Sequence, residues 1–113
     1  MPPNLPESDW KILSRLKPLA LDRLCERILL EAEDRIARAK AGEFYRAYLD
    51  LYQQIQKSDK HVADCFDDWR RSQALFTLMN WREQSLLTDE EFASFSSETR
   101  AKVDEWLGGN RGS

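Results

Sequence analysis

From Leu21 onward the apolar residues of this chain recur every three or four positions. Leu21, Leu24, Cys25, Ile28, Ala32, Ile36 and Ala39 form one run, with Asp22, Arg23, Glu26, Arg27, Glu31, Asp34, Arg35 and Arg38 on the opposite side. That spacing marks an amphipathic helix. A second run, Phe44, Tyr48, Leu51, Tyr52 and Ile55, has Tyr45 and Leu49 on its flank and predicts a helix over 43–57. Ser58 then reads as the N-cap of a further helix with Asp59 in its first turn, and Val62, Cys65, Phe66 and Trp69 as its apolar face. After Trp69 the phase slips. Arg70, Arg71, Ser72 and Gln73 intervene before Leu75, Leu78, Met79 and Trp81, which predicts a break near Ser72.

The ends of the pattern carry local signals. Ser8 can cap a first helix with Asp9 in its first turn and Trp10, Leu13 and Leu16 on one face. A proline ring clashes with the carbonyl four residues back and pushes the preceding residue out of helical angles. Pro18 therefore predicts a break at Lys17 and a new, long helix over 18–41, closed where Gly42 is free to take left-handed angles. Within it, Glu31 before Arg35 and Asp34 before Arg38 are acid-to-base pairs one turn apart. Thr88 and Glu91 fit a capping box, and Leu87 and Phe92 a hydrophobic staple, so a short helix starts at Asp89. Ser96 and Ser97 offer a cap for a last helix with Val103, Trp106 and Leu107 facing inward.

Between Leu19 and Leu107 there is no proline and one glycine, Gly42. With the two strongest breakers so scarce, the fold class is all-α: a compact bundle of five to six helices with one long helix. At 113 residues the chain is one domain by size, read as 1–107 with an extended lead over 1–7 and a flexible tail over 108–113.

Composition narrows the function classes. A 42% hydrophobic fraction is too high for an intrinsically disordered chain. The net charge of −3 gives no general pull toward nucleic acid or anionic lipid, so neither is expected as a partner. Between 83 and 113 seven acidic groups face three basic ones, which reads as a solvated acidic face or as a surface for a basic partner. The opening Met1-Pro-Pro-Asn-Leu-Pro lacks a basic start and an apolar run, and no stretch reaches the length of a membrane span. Two cysteines, Cys25 and Cys65, sit at helical spacing among apolar residues, as core thiols do. The expectation is a cytoplasmic protein with free thiols.

Candidate chemistry is thin. His61, the single histidine, shares a helix face with Asp64, Cys65 and Asp68. A structural zinc site needs four ligands, mostly Cys or His, so no metal is expected. The same pair offers no oxyanion hole and no electropositive, accessible thiol, so Cys–His catalysis is not expected either. No glycine-rich phosphate loop exists, and one histidine excludes a di-iron bundle. The densest cluster of aromatic and arginine residues is Trp69, Arg70, Arg71, Trp81 and Arg82, the residue types that dominate interface hot spots. The bland reading of the same cluster is core tryptophans with arginines paired to Asp67 and Asp68.

The runs Glu7-Ser-Asp-Trp-Lys, Ala20-Leu-Asp-Arg-Leu-Cys-Glu-Arg-Ile-Leu, Phe66-Asp-Asp-Trp-Arg-Arg-Ser-Gln-Ala-Leu and Phe95-Ser-Ser-Glu-Thr-Arg resemble a group of small uncharacterised bacterial proteins over residues 7–107. The resemblance implies a compact helical bacterial protein and transfers no functional residue. The expectation is therefore a non-enzymatic interaction module, adaptor or regulator, without cofactor. Its partner is a protein, or itself wherever an aromatic stripe stays uncovered. The competing expectation is a small-ligand or metal-binding domain with a pocket lined by Tyr45, Tyr48, Tyr52 and Trp69.

Overall fold

The computed structural model describes residues 5–111, the last three of them by backbone alone. Among these residues the fold is all-α, with five α-helices and no strand. They are α1 (Glu7–Ala37), α2 (Phe44–Phe66), α3 (Ala74–Glu83), α4 (Asp89–Ala93) and α5 (Ser97–Arg111), with one 3-10 turn, Arg71–Gln73, leading into α3. The expected break near Ser72 is this turn. The last helix runs to Arg111, past the point where a tail was expected, and residues 112 and 113 lie outside the described residues. Of the expected extended lead, residues 1–4 also lie outside, Leu5 and Pro6 are non-helical, and Glu7 already opens α1.

Two expected helix breaks are absent. α1 runs unbroken through Lys17 and Pro18, and it ends at Ala37 rather than at residue 41. The expected helix 18–41 is thus the second part of a longer one whose N-cap position is Pro6, not Ser8. An interior proline costs about 3 kcal/mol. Leu13 and Leu16 before it and Ala20 and Leu24 after it are all buried on one face, and each buried leucine contributes about 1.5–3 kcal/mol. A continuous rod keeps all four on the core, so packing outweighs the proline. α2 likewise passes through Ser58 without a break. Its stripe keeps phase there, because Ile55 and Val62 are seven residues, two turns, apart. Gly42, in the turn between α1 and α2, does take the left-handed region at φ 88°.

The core collects at one end. Leu13, Leu16, Ala20 and Leu24 of α1 meet Cys65 and Phe66 of α2, α3, Leu86 and Leu87, Phe92 and Phe95, and Val103 and Leu107 of α5. Three devices lock this base. Thr88 and Glu91 form the expected capping box, with Glu91 N–H donating to Thr88 Oγ1 (3.1 Å) and Thr88 N–H to Glu91 Oε1 (2.9 Å). Arg23 of α1 grips the same Glu91 at 2.6 and 2.9 Å and holds its carboxyl at about 2, well under its ordinary 4.5. At the end of α3, Leu86 N–H donates to the Trp81 carbonyl (2.9 Å) and Ser85 N–H to the Arg82 carbonyl (3.1 Å), with Ser85 at φ 58°. That is a Schellman cap. Arg27 donates to the carbonyls of Gln84 (2.5 Å) and Ser85 (2.6 Å) and Arg23 to that of Leu86 (2.9 Å), cations where a helix C-terminus favours them.

The third device joins the chain's two ends. Asp9 is 1% exposed and accepts hydrogen bonds from Ser96 N–H (2.9 Å), Ser96 Oγ (2.6 Å) and Thr99 Oγ1 (2.6 Å). Its carboxylate lies at the N-terminus of α5, where the helix dipole favours a negative charge. Burial opposes that charge, but the Ser96 hydroxyl, the Thr99 hydroxyl and the Ser96 amide outweigh it and hold the carboxyl below its ordinary range.

Beyond Ile28 on α1 and before Val62 on α2 no residue joins this core except as a near neighbour of the other helix. The antiparallel α1–α2 pair therefore projects from the base as a two-helix arm. The extents are 57 × 30 × 26 Å and the radius of gyration is 17.4 Å, against roughly 13 Å for a compact chain of this length.

The open face of the hairpin as candidate functional site

Two helices have two sides besides the seam between them, and here the sides differ. The seam runs through Ile28, Ala32 and Arg35 on α1 and Ala47, Gln54 and Ser58 on α2. Gln54 Nε2 reaches the Ile28 carbonyl at 3.4 Å, and Arg35 bridges Asp50 (2.5 Å) and Glu31 (3.0 Å). One residue further along an α-helix is a rotation of about 100°. Leu29, Glu33 and Ile36 each follow a seam residue of α1; Tyr48 and Ile55 each follow one of α2. In an antiparallel pair the same sense of rotation turns both helices toward the same side. Apart from Glu33, that side is apolar.

The residues that precede the seam positions, Arg27 on α1 and Gln53 and Lys57 on α2, turn to the other side. There they border a groove of about 310 Å³ with Glu31, Arg35, Asp50 and His61. The base sits against this polar side, through Arg27 and through His61, whose Nε2 lies 2.5 Å from Gln84 Oε1. The apolar side is left open. Phe44 is 62% exposed, Tyr48 61%, Tyr52 54%, Leu29 66% and Ile36 60%, and Tyr45 and Leu49 flank them. Tyr45 and Tyr48 stack at 6.4 Å. With roughly 150–250 Å² per aromatic side chain, the open face and its flank expose on the order of 800 Å² of apolar surface. Monomeric proteins seldom leave a contiguous patch beyond roughly 300–600 Å².

The five residues expected as a partner site do not form one surface. Trp81 is fully buried, between Phe66 (5.3 Å) and Trp69 (5.9 Å), and its indole N–H donates to the Cys65 carbonyl at 3.2 Å. That carbonyl is among the last four of α2, which have no partner within their own helix. Trp81 is thus a core residue. Trp69 is half-buried, with Trp10 at 5.1 Å and the Lys17 ammonium 4.3 Å from its ring centroid. Arg70 folds back on Asp68 (2.6 and 3.0 Å), which holds that carboxyl below its usual range. Arg71 ties the 3-10 turn to Glu7 (2.5 Å), and Arg82 lies over Phe92 (4.5 Å) and bonds Asp89 (2.8 Å). Arg71 and Arg82 fasten segments of the base to one another, and Arg70 stays within its own.

The expected aromatic pocket is not formed either. Tyr45, Tyr48 and Tyr52 stand exposed on the arm, whereas Trp69 packs with Trp10 and Trp81. His61 and Cys65 do meet, with Nε2 4.0 Å from Sγ, but the thiol is buried under the amides of Asn80 (3.3 Å) and Gln84 (3.4 Å). Among the described residues no three His, Cys, Asp or Glu side chains are grouped to hold a metal ion. No described helix is long and apolar enough to cross a membrane.

The α2 half of the open face was visible as the stripe from Phe44 to Ile55. The α1 half was missed. Ile36 was read as part of a buried stripe and Leu29 was not singled out, because periodicity shows that a face is apolar and not what covers it. No family model, curated protein or solved structure matches the chain.

Proposed function

We propose that the protein is a non-enzymatic interaction module of adaptor or regulatory type, acting in the cytoplasm, and that its working surface is the open face of the hairpin. The single observation that carries this reading is the unburied apolar face built from Leu29 and Ile36 on one helix and Phe44, Tyr48, Tyr52 and Ile55 on the other. Tyrosine and phenylalanine bring large rigid contact area at small entropic cost, which is why interfaces are rich in them. The base supports the reading by its stiffness: a helix pair rooted in a packed core presents its face with little loss of order on binding. Two free thiols, one buried and one half-buried, fit a reducing compartment. The test is site-specific photocrosslinking in cells. A benzoyl-phenylalanine at Tyr48 is expected to give a protein adduct, and one at Gln53, on the polar side, is not. Absence of any adduct from Tyr48 overturns the assignment of this face.

One observation favours a second reading, a small polar ligand in the polar groove. Gln54 is 5% exposed, and among the described residues no donor reaches its Oε1. An unmet buried acceptor costs roughly 1–3 kcal/mol, and a ligand offering an O–H or N–H would remove that cost. Native mass spectrometry of protein from its own cells separates the readings. A few hundred daltons of extra mass, lost in Gln54→Leu, would establish the ligand; an unchanged mass removes it.

A further inference from the structure

We infer that the occupant of the open face is a basic amphipathic helix of another protein, laid along the groove between α1 and α2. The inference rests on the reading of that face as an interaction surface and names the chemistry of its partner. On α1, Asp22, Glu26, Leu29, Glu33 and Ile36 recur at steps of four and three, and on α2 so do Tyr45, Tyr48, Tyr52, Ile55 and Asp59. Each run is one side of its helix, and the two sides together make the open face. All ten residues are exposed.

Every charged member of the two runs is acidic. Among the described residues none of these four carboxylates stands in an ion pair, whereas Glu31, Asp34 and Asp50, turned the other way, all do. The bases of the arm lie elsewhere: Arg27, Arg35 and Lys57 along the polar groove, Arg38 and Arg46 around the hollow beside it. The α1 run meets its first base at Arg15, seven residues and about 10 Å beyond Asp22 toward the base. Glu33 decides the sign of the partner. It stands between Leu29 and Ile36, so whatever covers them takes water from its carboxylate, and a carboxylate out of water needs a cation or a donor. A second copy would bring a second carboxylate there, and a nucleic acid or an anionic bilayer would add charge of the same sign. A lysine- or arginine-bearing segment answers it.

The form of that segment follows from the face. Both helices keep their backbone hydrogen bonds internal, so no edge is offered to an extended strand. The groove over the seam accepts a third helix, whose apolar anchors would rest on Leu29, Ile36, Tyr48 and Ile55 while its bases reach Asp22, Glu26 and Glu33 on one border and Asp59 on the other. From Asp22 to Ile36 the face is 14 residues long, about 21 Å, or roughly four turns of a partner helix.

The experiment is fluorescence anisotropy of the full chain with two labelled helical peptides of about 14 residues. One carries leucine on one side and lysine on the other; its counterpart has glutamate for every lysine. The lysine peptide is expected to bind at least about tenfold tighter. Tyr48→Ala is expected to weaken it about tenfold. Glu33→Lys is expected to weaken it about fivefold, and Asp64→Lys, the same change of charge on the side of α2 that meets α3, less than about twofold. All three positions are exposed, so each variant is expected to keep its helical circular-dichroism signal. A lysine peptide that binds no tighter than its counterpart overturns the inference, and so does equal weakening by Asp64→Lys and Glu33→Lys, which would mark attraction to net charge alone. The Tyr48 photocrosslink then tests the reading beneath it. An adduct with an acidic or neutral segment, or with a second copy, overturns the basic partner and keeps the interaction surface; no adduct removes both.

Discussion

The base and the arm of this molecule are made of the same residue types and use them in opposite ways. In the base, Trp81, Leu13, Leu78, Leu86 and Val103 are completely enclosed by residues of all five helices and of the segments that join them. In the arm, Phe44, Tyr48 and Leu29 keep more than half of their surface in water on helices that are just as regular. The arm borrows its stability, because a lone helix pair this short is marginal in water and α1 and α2 are anchored in the base through their other halves. The lesson is that amphipathic periodicity dictates the helix, and only the number of layers decides whether an apolar face becomes core or surface.

The largest expected effect comes from cutting the same kind of atom from each region. Trp81→Ala removes a fully buried ring and leaves the Cys65 carbonyl without its donor. It is expected to cost about 3–5 kcal/mol of unfolding free energy. Tyr48→Ala, read in the same urea titrations, is expected to change stability by about 0.5 kcal/mol or less. Equal losses in the two variants would mean that the arm face is covered within the chain, and the contrast between the regions would be gone.

How much of this contrast could be read from the chain depends on sequence distance. The α4 cap was legible because Thr88 and Glu91 are three residues apart and satisfy each other. The all-α class was legible because breakers are scarce. Pro18 misled because its local cost is definite, whereas the packing that overrides it comes from α3, α4 and α5 far along the chain. Asp9 could be placed in a first turn, and it is there. Its main partners, Ser96 and Thr99, lie 87 and 90 residues away, and nothing near Asp9 points to them. Trp81 and Arg82 looked like a hot spot because composition cannot tell a buried indole from a presented one. The true open face needed both helices, and the side of α1 that shares it is fixed by which residues form the seam.

A medium effect distinguishes the regions by pH. The acid-sensitive groups with the clearest shifts, Glu91 and Asp9, both belong to the base. Each titrates lower in the folded chain than in the unfolded one, so the native state binds fewer protons and stability falls as pH falls. For Glu91, whose main cause is the Arg23 hydrogen bond, the loss starts near its unfolded value of 4.5 and is complete below about 2. The Arg23–Glu91 pair is partly exposed, so the amount is on the order of 2 kcal/mol once solvent screening is allowed for. Glu91→Gln is expected to lower stability at neutral pH by about that much and to flatten the acid limb of the urea midpoint against pH. The arm's ion pairs, Arg35–Asp50 and Arg38–Asp34, are more exposed, and Asp50→Asn is expected to leave that limb unchanged. An acid limb that follows Asp50 rather than Glu91 would move the pH-sensitive contacts into the arm.

The smallest effect tests whether the two regions are energetically separable. Ser85 holds φ 58° to complete the Schellman cap of α3, a conformation that costs a residue with a side chain roughly 1 kcal/mol and glycine almost nothing. Ser85→Gly keeps both cap hydrogen bonds, which are made by backbone groups, and leaves the two carbonyls that Arg27 grips. Part of the gain is offset by the greater freedom of glycine in the unfolded chain. The net expectation is a stabilisation of about 0.5 kcal/mol or less in chemical denaturation. Because the cap lies on the polar side of the arm, a stiffer base does not alter the shape of the open face. The Tyr48 photocrosslink is therefore expected in Ser85→Gly at the wild-type yield. A yield that moved with the cap would show that the face is tuned through Arg27 and the base, and that the arm does more than stand on it.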